Sequence, residues 1–465
     1  MIERADYVVP YFNNQLRLDK PPLAYWAQVA SYHIFGENDF AARFPSAIAA
    51  ALAALSIFAW GTRLGGEKLG WCGAVIFTLS LQTFVHAKAA VADMWLVLFM
   101  TTAHWSGFEL FMRKQTPNAQ RPTLNVQRRW WWIFYLSLAF GFLVKGPIAW
   151  TPLLTVIATI FLTRDWQVVR RLKFVPGILL MLAVVGSWGI PALIQTHGEF
   201  FTIGIGRHVI GRSFATMEGH GANSVGMYLL LLPFYFVTVF VSFFPWSIKL
   251  PSLVRKLCRD QKVDPHDSGN SCNLLDAYLL TSIGIIFIIF TLISTKLPHY
   301  TLPAFPLLAL LLGRHWQGAA VSSPPAAAAS RRSLFAIIAV ATACVWIAIA
   351  VVVPPIVAPF FPAYQLFHQS HADLRPNMQF ASVGFEEPSL VWYFRSRVKG
   401  FLTPLNKRRA AEFMSTSGPR FIVLPTPVAG SLFASQPPNW KFFSTTGFNI
   451  AKGKRVDLTV VLKSE

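Results

Sequence analysis

Charged residues are scarce in this chain, and their scarcity argues against an ordinary soluble protein. Only 13% of the 465 residues are charged, whereas 54% are hydrophobic. A soluble domain carries about 25% charged residues, and a large soluble helical protein would need charged helix faces that this sequence lacks. The long apolar runs therefore predict a protein that crosses a membrane several times.

Acidic residues and cysteines are also few. The chain has 21 Asp and Glu against 41 Lys and Arg, which gives a formal net charge of +20. Membrane proteins collect Lys and Arg in cytoplasmic loops, so this charge does not require a nucleic-acid partner. The four cysteines have neither metal nor redox spacing; they are Cys72, Cys258, Cys272 and Cys344.

Ten apolar stretches are candidates for membrane-spanning helices. Several contain Pro or Gly, which membrane helices tolerate when neighbouring helices satisfy the freed backbone groups. The predicted spans are at about 41–60, 69–87, 91–112, 130–145, 147–163, 175–194, 225–248, 275–294, 299–315 and 333–356.

The loops between these spans differ in charge, and the difference predicts their orientation. One set of alternate loops holds nineteen Lys and Arg residues, and the opposite set holds five. Positive residues favour the cytoplasmic side, so the first set is expected to be cytoplasmic. A first external loop (1–40) and a C-terminal part (357–465) would then lie outside, on either side of a membrane domain (41–356).

The C-terminal part has a different pattern. Strand-like stretches at Met378–Phe385, Arg420–Pro425 and Val456–Lys463 alternate with helical stretches at Pro388–Arg397 and Lys407–Ser417. This alternation predicts a small α/β accessory domain on the outer face.

Polar residues on the predicted outer side indicate an anion-binding cavity. Lys20, Lys145 and Lys296 each lie beside a Pro or Gly-Pro break, and Asp93 opens an apolar helix. Lysine suits phosphate as a compact positive charge. A structural role stays open for each residue, because helix N-termini favour acids and long lysines reach towards headgroups. Chemistry on a lipid phosphate would need such cations and a carboxylate. Arg207, His208 and Arg212 are further cation candidates.

Several motifs follow each other in an order that resembles a known family. They are Tyr7–Asn13, Asp19–Trp26, Ala41–Ser46, the Asp93 stretch, Phe142–Pro147, Phe243–Trp246 and Lys296–Pro303. Over about residues 5–315 the chain resembles the ArnT-like and protein-mannosyltransferase-like integral membrane glycosyltransferases of the GT-C class. Among their branches it looks most like the bacterial aminoarabinose-to-lipid-A transferases.

The resemblance implies an activity and a location. The enzyme would move a sugar, 4-amino-4-deoxy-L-arabinose or another pentose or hexose, from a polyprenyl phosphate donor such as undecaprenyl phosphate. The acceptor would be lipid A, another glycolipid or a protein on the periplasmic face of the bacterial inner membrane. The anomeric carbon would be inverted.

The resemblance also implies roles for individual residues. Lys20 matches the family lysine that contacts the lipid phosphate, and Asp93 matches an acidic residue near the active site. Arg212 and Tyr300 match positions on the phosphate side of the family site, and Lys145 and Lys296 are added to the donor-binding candidates as cations of the outer loops. Some relatives hold a metal beside the Lys-Pro-Pro motif, and the equivalent ligands for a divalent ion would be Asp19 with His208 or His220.

One departure from the family pattern concerns the first loop. The family's main catalytic carboxylate belongs to an Asp-Glu motif early in that loop, and Glu3 and Asp6 match only the spacer after it. We therefore expect this motif and a first span to lie upstream of Met1, and the chain as written to be poorly active or inactive.

Two other functions are compatible with the sequence. A catalytically impaired homologue would still bind the lipid. A polytopic lipid transporter or flippase is less favoured, because transporters often contain internal repeats with polar groups near the bilayer midplane, and neither feature is visible here.

Overall fold

The computed structural model describes residues 1–112, 124–211, 224–263, 271–321, 324–435, 439–449 and 453–465. This part of the chain divides into two compact units. One unit comprises Met1–Pro10 and Leu16–Ala343, and the other comprises Tyr11–Gln15 and Cys344–Glu465.

The first unit is built almost entirely of helices. Its α-helices are α1 (Leu23–Phe35), α2 (Asp39–Gly65), α3 (Glu67–Leu79), α4 (Leu81–Ala87), α5 (Asp93–Phe111), α6 (Leu124–Lys145), α7 (Thr151–Thr163), α8 (Gln167–Leu172), α9 (Phe174–Gln195), α10 (Val225–Leu230), α11 (Phe234–Ser242), α12 (Leu250–Val263), α13 (Ser271–Leu292) and α14 (Phe305–Val321). A π-helix (Phe200–Gly211) and four 3₁₀-helices (Ile2–Arg4, Gly146–Trp150, Trp246–Lys249 and Pro298–Ala304) complete it. The next helix, α15 (Pro325–Val357), contributes residues to both units.

Five helical segments are long and apolar enough to cross a membrane, and up to seven if each of two bent helix pairs counts as one span. The five are Asp39–Gly65, Arg128–Thr163, Gln167–Gln195, Leu274–Leu292 and Pro325–Phe360. Many large apolar side chains on them are exposed, as lipid-facing helices require; Leu179 and Ile190 are examples. The described residues form a multi-span membrane protein.

The number of candidate spans is lower than the ten that the sequence predicts. Arg128–Thr163 covers two of the predicted spans in one run of 36 residues. The helix that overlaps the predicted span at 299–315, α14, begins only at Phe305 and has 17 residues. Helix α5 carries Asp93, His104 and Glu109 among its 19 residues, which lowers its apolar character.

Helices α2 and α3 pack closely because glycines face each other across their contact. A Cβ added to Gly61 would lie 2.8 Å from the Cα of Gly70, and no larger side chain fits at this distance. Helix α14 packs on the same pair, and the δ-carbon of Leu310 would lie 3.2 Å from that added Cβ.

Three side-chain contacts hold the polar N-terminal segment on the helices of the first unit. The indole nitrogen of Trp26 donates to the carbonyl of Tyr7 at 2.7 Å, and that of Trp188 donates to the carbonyl of Val8 at 2.8 Å. The amide of Gln195 donates to the Asp6 carboxylate at 2.8 Å. These contacts anchor the chain shortly before Lys20.

The second unit contains a five-stranded mixed sheet. Its strands are β3 (Gln379–Val383), β4 (Leu402–Leu405), β5 (Arg420–Pro425), β6 (Lys441–Asn449) and β7 (Lys454–Lys463), in the order β4-β3-β5-β7-β6. Strand β3 is parallel to β4 and β5, while β7 is antiparallel to β5 and β6. Helices α16 (Pro362–Ser370), α17 (Pro388–Phe394), α18 (Lys407–Ser415) and α19 (Thr426–Leu432) accompany the sheet. A buried cluster around Phe380, Phe394 and Phe421 fills one side of it.

A short stretch near the start of the chain also belongs to the second unit. The hairpin β1 (Tyr11–Phe12) and β2 (Gln15–Leu16) has Asn13 and Asn14 at its turn, both with positive φ. The Asn13 side chain donates to the Leu402 carbonyl at 2.7 Å and accepts from the Leu402 N–H at 2.8 Å. The amide thus pairs with the backbone at the start of β4.

The predicted small domain of mixed strands and helices is confirmed. The structure has strands at three predicted places and helices at two, with β5 at the predicted bounds. It adds β4 and β6, which the sequence pattern did not indicate.

The close approach of α2 and α3 generates a stability prediction. Replacing Gly61 by Ala should lower the free energy of unfolding by about 1–3 kcal/mol, because the new methyl group overlaps the α3 backbone. The measurement is thermal unfolding of the detergent-solubilised protein. Gly189→Ala in α9 is the matched control, since a Cβ there meets nothing within 4 Å; an equal loss in both variants would contradict the packing argument.

Candidate functional site

Asp93 and Lys145 meet because each lies at the end of a helix that suits its charge. Asp93 is the first residue of α5, and Lys145 is the last residue of α6. Helix N-termini stabilise anions and C-termini stabilise cations. The Lys145 ammonium donates to Asp93 Oδ1 at 2.6 Å, and Asp93 is only 8% exposed. A bond from Ser46 Oγ to the Val91 carbonyl, at 2.9 Å, ties the segment before Asp93 to α2.

The break after Lys145 lets the chain turn at this point. Gly146 has a φ of +75°, a region that glycine adopts without a steric penalty, and Pro147 cannot extend the helical hydrogen bonds. The Lys-Gly-Pro sequence therefore ends α6 with the lysine at its C-terminus.

Lys20 lies on the segment between β2 and α1, beside an internal ion pair. The Arg17 guanidinium donates to Asp19 Oδ1 at 3.0 Å, and the Tyr25 hydroxyl lies 3.4 Å from the same oxygen. Burial opposes ionisation of Asp19, but Arg17 and Lys20 outweigh it and hold the pKa of that carboxyl below its usual value. Among the described residues, Lys20 itself has neither an ion-pair partner nor a hydrogen-bond partner.

The absence of such a partner is matched by a shift in the pKa of Lys20. Burial lowers this pKa, the neighbouring Lys145 lowers it further, and the carboxylates of Asp19 and Asp93 only partly compensate. An anion bound at Lys20 would reverse the shift, because it favours the charged form.

Two cavities in the first unit meet at these cations. The larger has a volume of about 480 Å³ and the smaller about 260 Å³. Both are lined by Asp19, Lys20, Lys145 and Pro147. Asp93, His299 and Tyr300 line the larger cavity with aliphatic residues of α7 and α13, and α9 with the π-helix contributes most of the smaller one. The arrangement places two ammonium groups between two largely apolar cavities.

Tyr300 and Lys296 take different positions. Tyr300 lines the larger cavity, and the Lys145 ammonium lies 5.4 Å from the centre of its ring. Lys296 lines neither cavity. Its ammonium donates to the carbonyls of Phe290 and Thr291 at 3.2 and 2.5 Å, near the C-terminal end of α13.

Three other candidates fall on parts that the structure does not describe. Arg212 and His220 lie in 212–223, outside the described residues. His208 lies in the π-helix, but its side chain is not among those described. The pairing of Asp19 with either histidine stays a prediction.

Sequence reasoning missed two histidines beside Asp93. His86, near the end of α4, and His299, in the 3₁₀-helix Pro298–Ala304, lie next to the carboxylate. One ligand atom from each of the three residues lies within 4.8 Å of the others, so the group can hold a metal ion. Both histidines stand in motif stretches, but their separation along the chain from Asp93 and from each other gives no metal-binding spacing.

Comparison with known proteins identifies related sequences. Residues 19–190 match the family model of dolichyl-phosphate-mannose-protein mannosyltransferases. An uncharacterized protein of Aquifex aeolicus is 23% identical over 314 residues, which cover 67% of this chain and 56% of the relative. The undecaprenyl phosphate-alpha-4-amino-4-deoxy-L-arabinose arabinosyl transferase 2 of Sodalis glossinidius is 27% identical over 323 residues, which cover 68% of this chain and 53% of the relative. The chain therefore spans little more than half the length of these relatives.

A solved structure shares the fold. The crystal structure of ArnT from Cupriavidus metallidurans bound to undecaprenyl phosphate superposes with a TM-score of 0.70 at 17% identity. The superposition covers 99% of this chain and 91% of that chain. At this identity the likeness shows a common fold.

The buried contact between Lys145 and Asp93 generates a further prediction. Lys145→Met should lower the free energy of unfolding by about 3 kcal/mol, because it leaves a buried carboxylate without its cation. Adding Asp93→Asn should recover most of that loss, since the double variant contains no uncompensated charge. Thermal unfolding in detergent measures both; an equal loss in the single and double variants would contradict the contact.

Proposed function

We propose a function for this chain from its family: it belongs to the ArnT-like and protein-mannosyltransferase-like GT-C membrane glycosyltransferases. The proposed function is the transfer of a sugar from a polyprenyl phosphate donor to an acceptor at the membrane surface. The observation that carries this proposal is the pair of ammonium groups, Lys20 and Lys145, at the junction of two apolar cavities. A lipid phosphate combines an anionic head with an apolar chain, and the site offers a counterpart for each.

The phosphate would bind at Lys20. This lysine has no anion partner among the described side chains, whereas Lys145 already contacts Asp93. An amine that is partly buried without a counter-ion has lost hydration that an anion can replace. Lys145, 5.4 Å from the ring of Tyr300, would supply a second charge on the same side.

The reaction would need little more than positioning and charge stabilisation. The bond between the anomeric carbon and the phosphate oxygen breaks, and the lipid phosphate leaves with the bonding electrons. The acceptor oxygen bonds to the same carbon from the opposite face, which inverts it, and its proton passes to a carboxylate, the role that the resemblance gives to the family's Asp-Glu motif. Lys20 and Lys145 would stabilise the charge that develops on the leaving phosphate.

Asp93 is proposed as the carboxylate of this site. Its contact with Lys145 favours electrostatic support over strong basicity, because a carboxylate stabilised by an ammonium takes up a proton less readily. Asp93 would hold Lys145 towards the cavity and contact the donor sugar from there.

The finer assignments follow from the resemblance and from the relatives' names. The sugar would be 4-amino-4-deoxy-L-arabinose or another pentose or hexose, carried on undecaprenyl phosphate. The acceptor would be lipid A, a related glycolipid or a protein. The chain would lie in the bacterial inner membrane, and 1–40 and 357–465 would be periplasmic.

Undecaprenyl phosphate binding tests the site. Lys20→Gln should weaken binding by about tenfold or more, because a hydrogen bond to a charged group contributes about 1.5–3 kcal/mol. The dissociation constant is measured with the purified protein in detergent, with Lys88→Gln as the control. Lys88 is an exposed lysine that lines neither cavity. Wild-type affinity in Lys20→Gln would contradict the phosphate contact.

Transfer and binding together separate the candidate functions. Radiolabelled sugar that moves from the donor lipid to extracted lipid A supports the transferase. Binding of undecaprenyl phosphate without transfer to any of the three acceptor classes would favour a lipid-binding homologue. Movement of the lipid across proteoliposomes would identify a transporter.

The lowered pKa of Lys20 gives the binding a pH dependence. Lys20 is fully charged below its depressed pKa, so affinity for the phosphate is complete there and falls as the pH rises through that pKa. Titration of the dissociation constant from neutral pH up to the ordinary lysine pKa of about 10.4 measures the decline. Lys20→Arg should bind with little decline over this range, because guanidinium stays protonated; parallel curves for both proteins would place the titrating group elsewhere.

A further inference from the structure

His86, Asp93 and His299 come from three different elements and converge on one point. His86 lies near the end of α4, Asp93 begins α5, and His299 lies in the 3₁₀-helix that precedes α14. Nε2 of His299 is 4.0 Å from Asp93 Oδ1, and the two imidazole rings have centroids 5.2 Å apart.

We propose that these three residues form a binding site for a divalent transition-metal ion, with Zn²⁺ as the best match. Two imidazoles and one carboxylate suit Zn²⁺, which prefers nitrogen and oxygen ligands in tetrahedral geometry. Three protein ligands leave one coordination position for a water molecule or a substrate oxygen. This set shares no residue with Asp19, His208 and His220, the metal candidates that the family resemblance implies.

The hydrogen bond made by His86 supports the assignment. Its Nδ1 lies 3.0 Å from the backbone carbonyl of Gln82, one helical turn earlier. The side-chain amide nitrogen of Gln82 lies 3.2 Å from the same Nδ1. A carbonyl only accepts, so in the tautomer that bonds the carbonyl Nδ1 carries the proton and Nε2 keeps its lone pair. Metal-binding histidines commonly donate their second ring N–H to such an acceptor, which fixes both the tautomer and the ring orientation.

The dimensions of the group are slightly larger than those of a metal-bound site. Donor atoms around tetrahedral Zn²⁺ are about 3.4 Å apart, given bond lengths of about 2.0–2.1 Å. Here the separations reach at most 4.8 Å. His86 and His299 are only partly buried, so rotation of their side chains can close the remaining distance without repacking a sealed core.

Lys145 competes with the ion for Asp93. Its ammonium, 2.6 Å from Oδ1, already neutralises the carboxylate and would repel a nearby dication. Metal affinity should therefore rise when this charge is removed. In Lys145→Met the Asp93 carboxylate has lost the cation that neutralised it. A bound metal ion would neutralise this negative charge again and so stabilise the variant.

The open coordination position would face the larger cavity, because Asp93 and His299 line it together with Lys20 and Lys145. A phosphate oxygen is then the natural fourth ligand. This last step rests on the proposed function, whereas the binding of the metal itself does not.

Zn²⁺ titration of the metal-stripped full-length protein in detergent tests the site. Calorimetry against a chelator of known affinity should show a site that His86→Ala and His299→Ala each weaken by at least about tenfold. The control His33→Ala changes an exposed histidine of α1 and should bind as the wild type does. Asp19→Asn should also leave this affinity unchanged; a loss in Asp19→Asn with retention in both histidine variants would overturn the assignment.

Lys145→Met provides an independent readout. It should bind Zn²⁺ more tightly than the wild type, and added Zn²⁺ should raise its unfolding temperature. If the histidine variants fail to fold, this result decides the question, because unchanged or weaker affinity in Lys145→Met overturns the proposal.

Co²⁺ and inorganic phosphate test the open position. Bound Co²⁺ should show the visible absorption of a tetrahedral site, and added inorganic phosphate should shift it. A tetrahedral spectrum that phosphate leaves unchanged would overturn the inference of an open position. Undecaprenyl phosphate binding by protein that takes up no Zn²⁺ would reject the metal site and leave the proposed function standing.

Discussion

The ion pair between Lys145 and Asp93 is the contact on which the candidate site depends. It joins the C-terminus of α6 to the N-terminus of α5, where the partial charges of the helix ends favour each side chain. Asp93 is engaged by Lys145, and no carboxylate among the described residues lies within ion-pair distance of the Lys20 ammonium. The same pair brings a carboxylate and an ammonium into the larger cavity, beside two histidines.

The packing around this pair provides apolar walls and a limited number of polar groups. Aliphatic and aromatic residues of α7, α9 and α13 line the two cavities, and the lysines stand where the cavities meet. Charges attract more strongly in such surroundings than in water, because the effective dielectric constant is lower. A few cations can therefore determine where an anionic ligand binds, while the apolar walls accept whatever chain is attached to it.

Much of this site was predictable because its residues stand in motifs with chemical meaning. Lys20, Asp93, Lys145 and Tyr300 come from separate segments, yet all four line one cavity, while their roles stay predictions. Lys296 could not be placed in this way, because a sequence does not reveal that its ammonium reaches back to the carbonyls at the end of α13. His86 and His299 become a group with Asp93 only through tertiary packing.

In the sheet of the second unit, the sequence pattern did not indicate β4, because this strand is four residues long and contains Pro404. The continuous apolar run of β5 was recognised.

The hairpin tip formed by 11–15 has a consequence for the order of assembly. Asn13 pairs with Leu402 across 389 residues, so a part of the second unit is synthesised long before the strand that it meets. Closing so long a loop is slow and entropically unfavourable until the intervening chain has folded. During biosynthesis the polar segment would remain without this partner while the helices insert one after another. The pairing of Asn13 with the start of β4 would therefore form only after the sheet of the second unit has been synthesised.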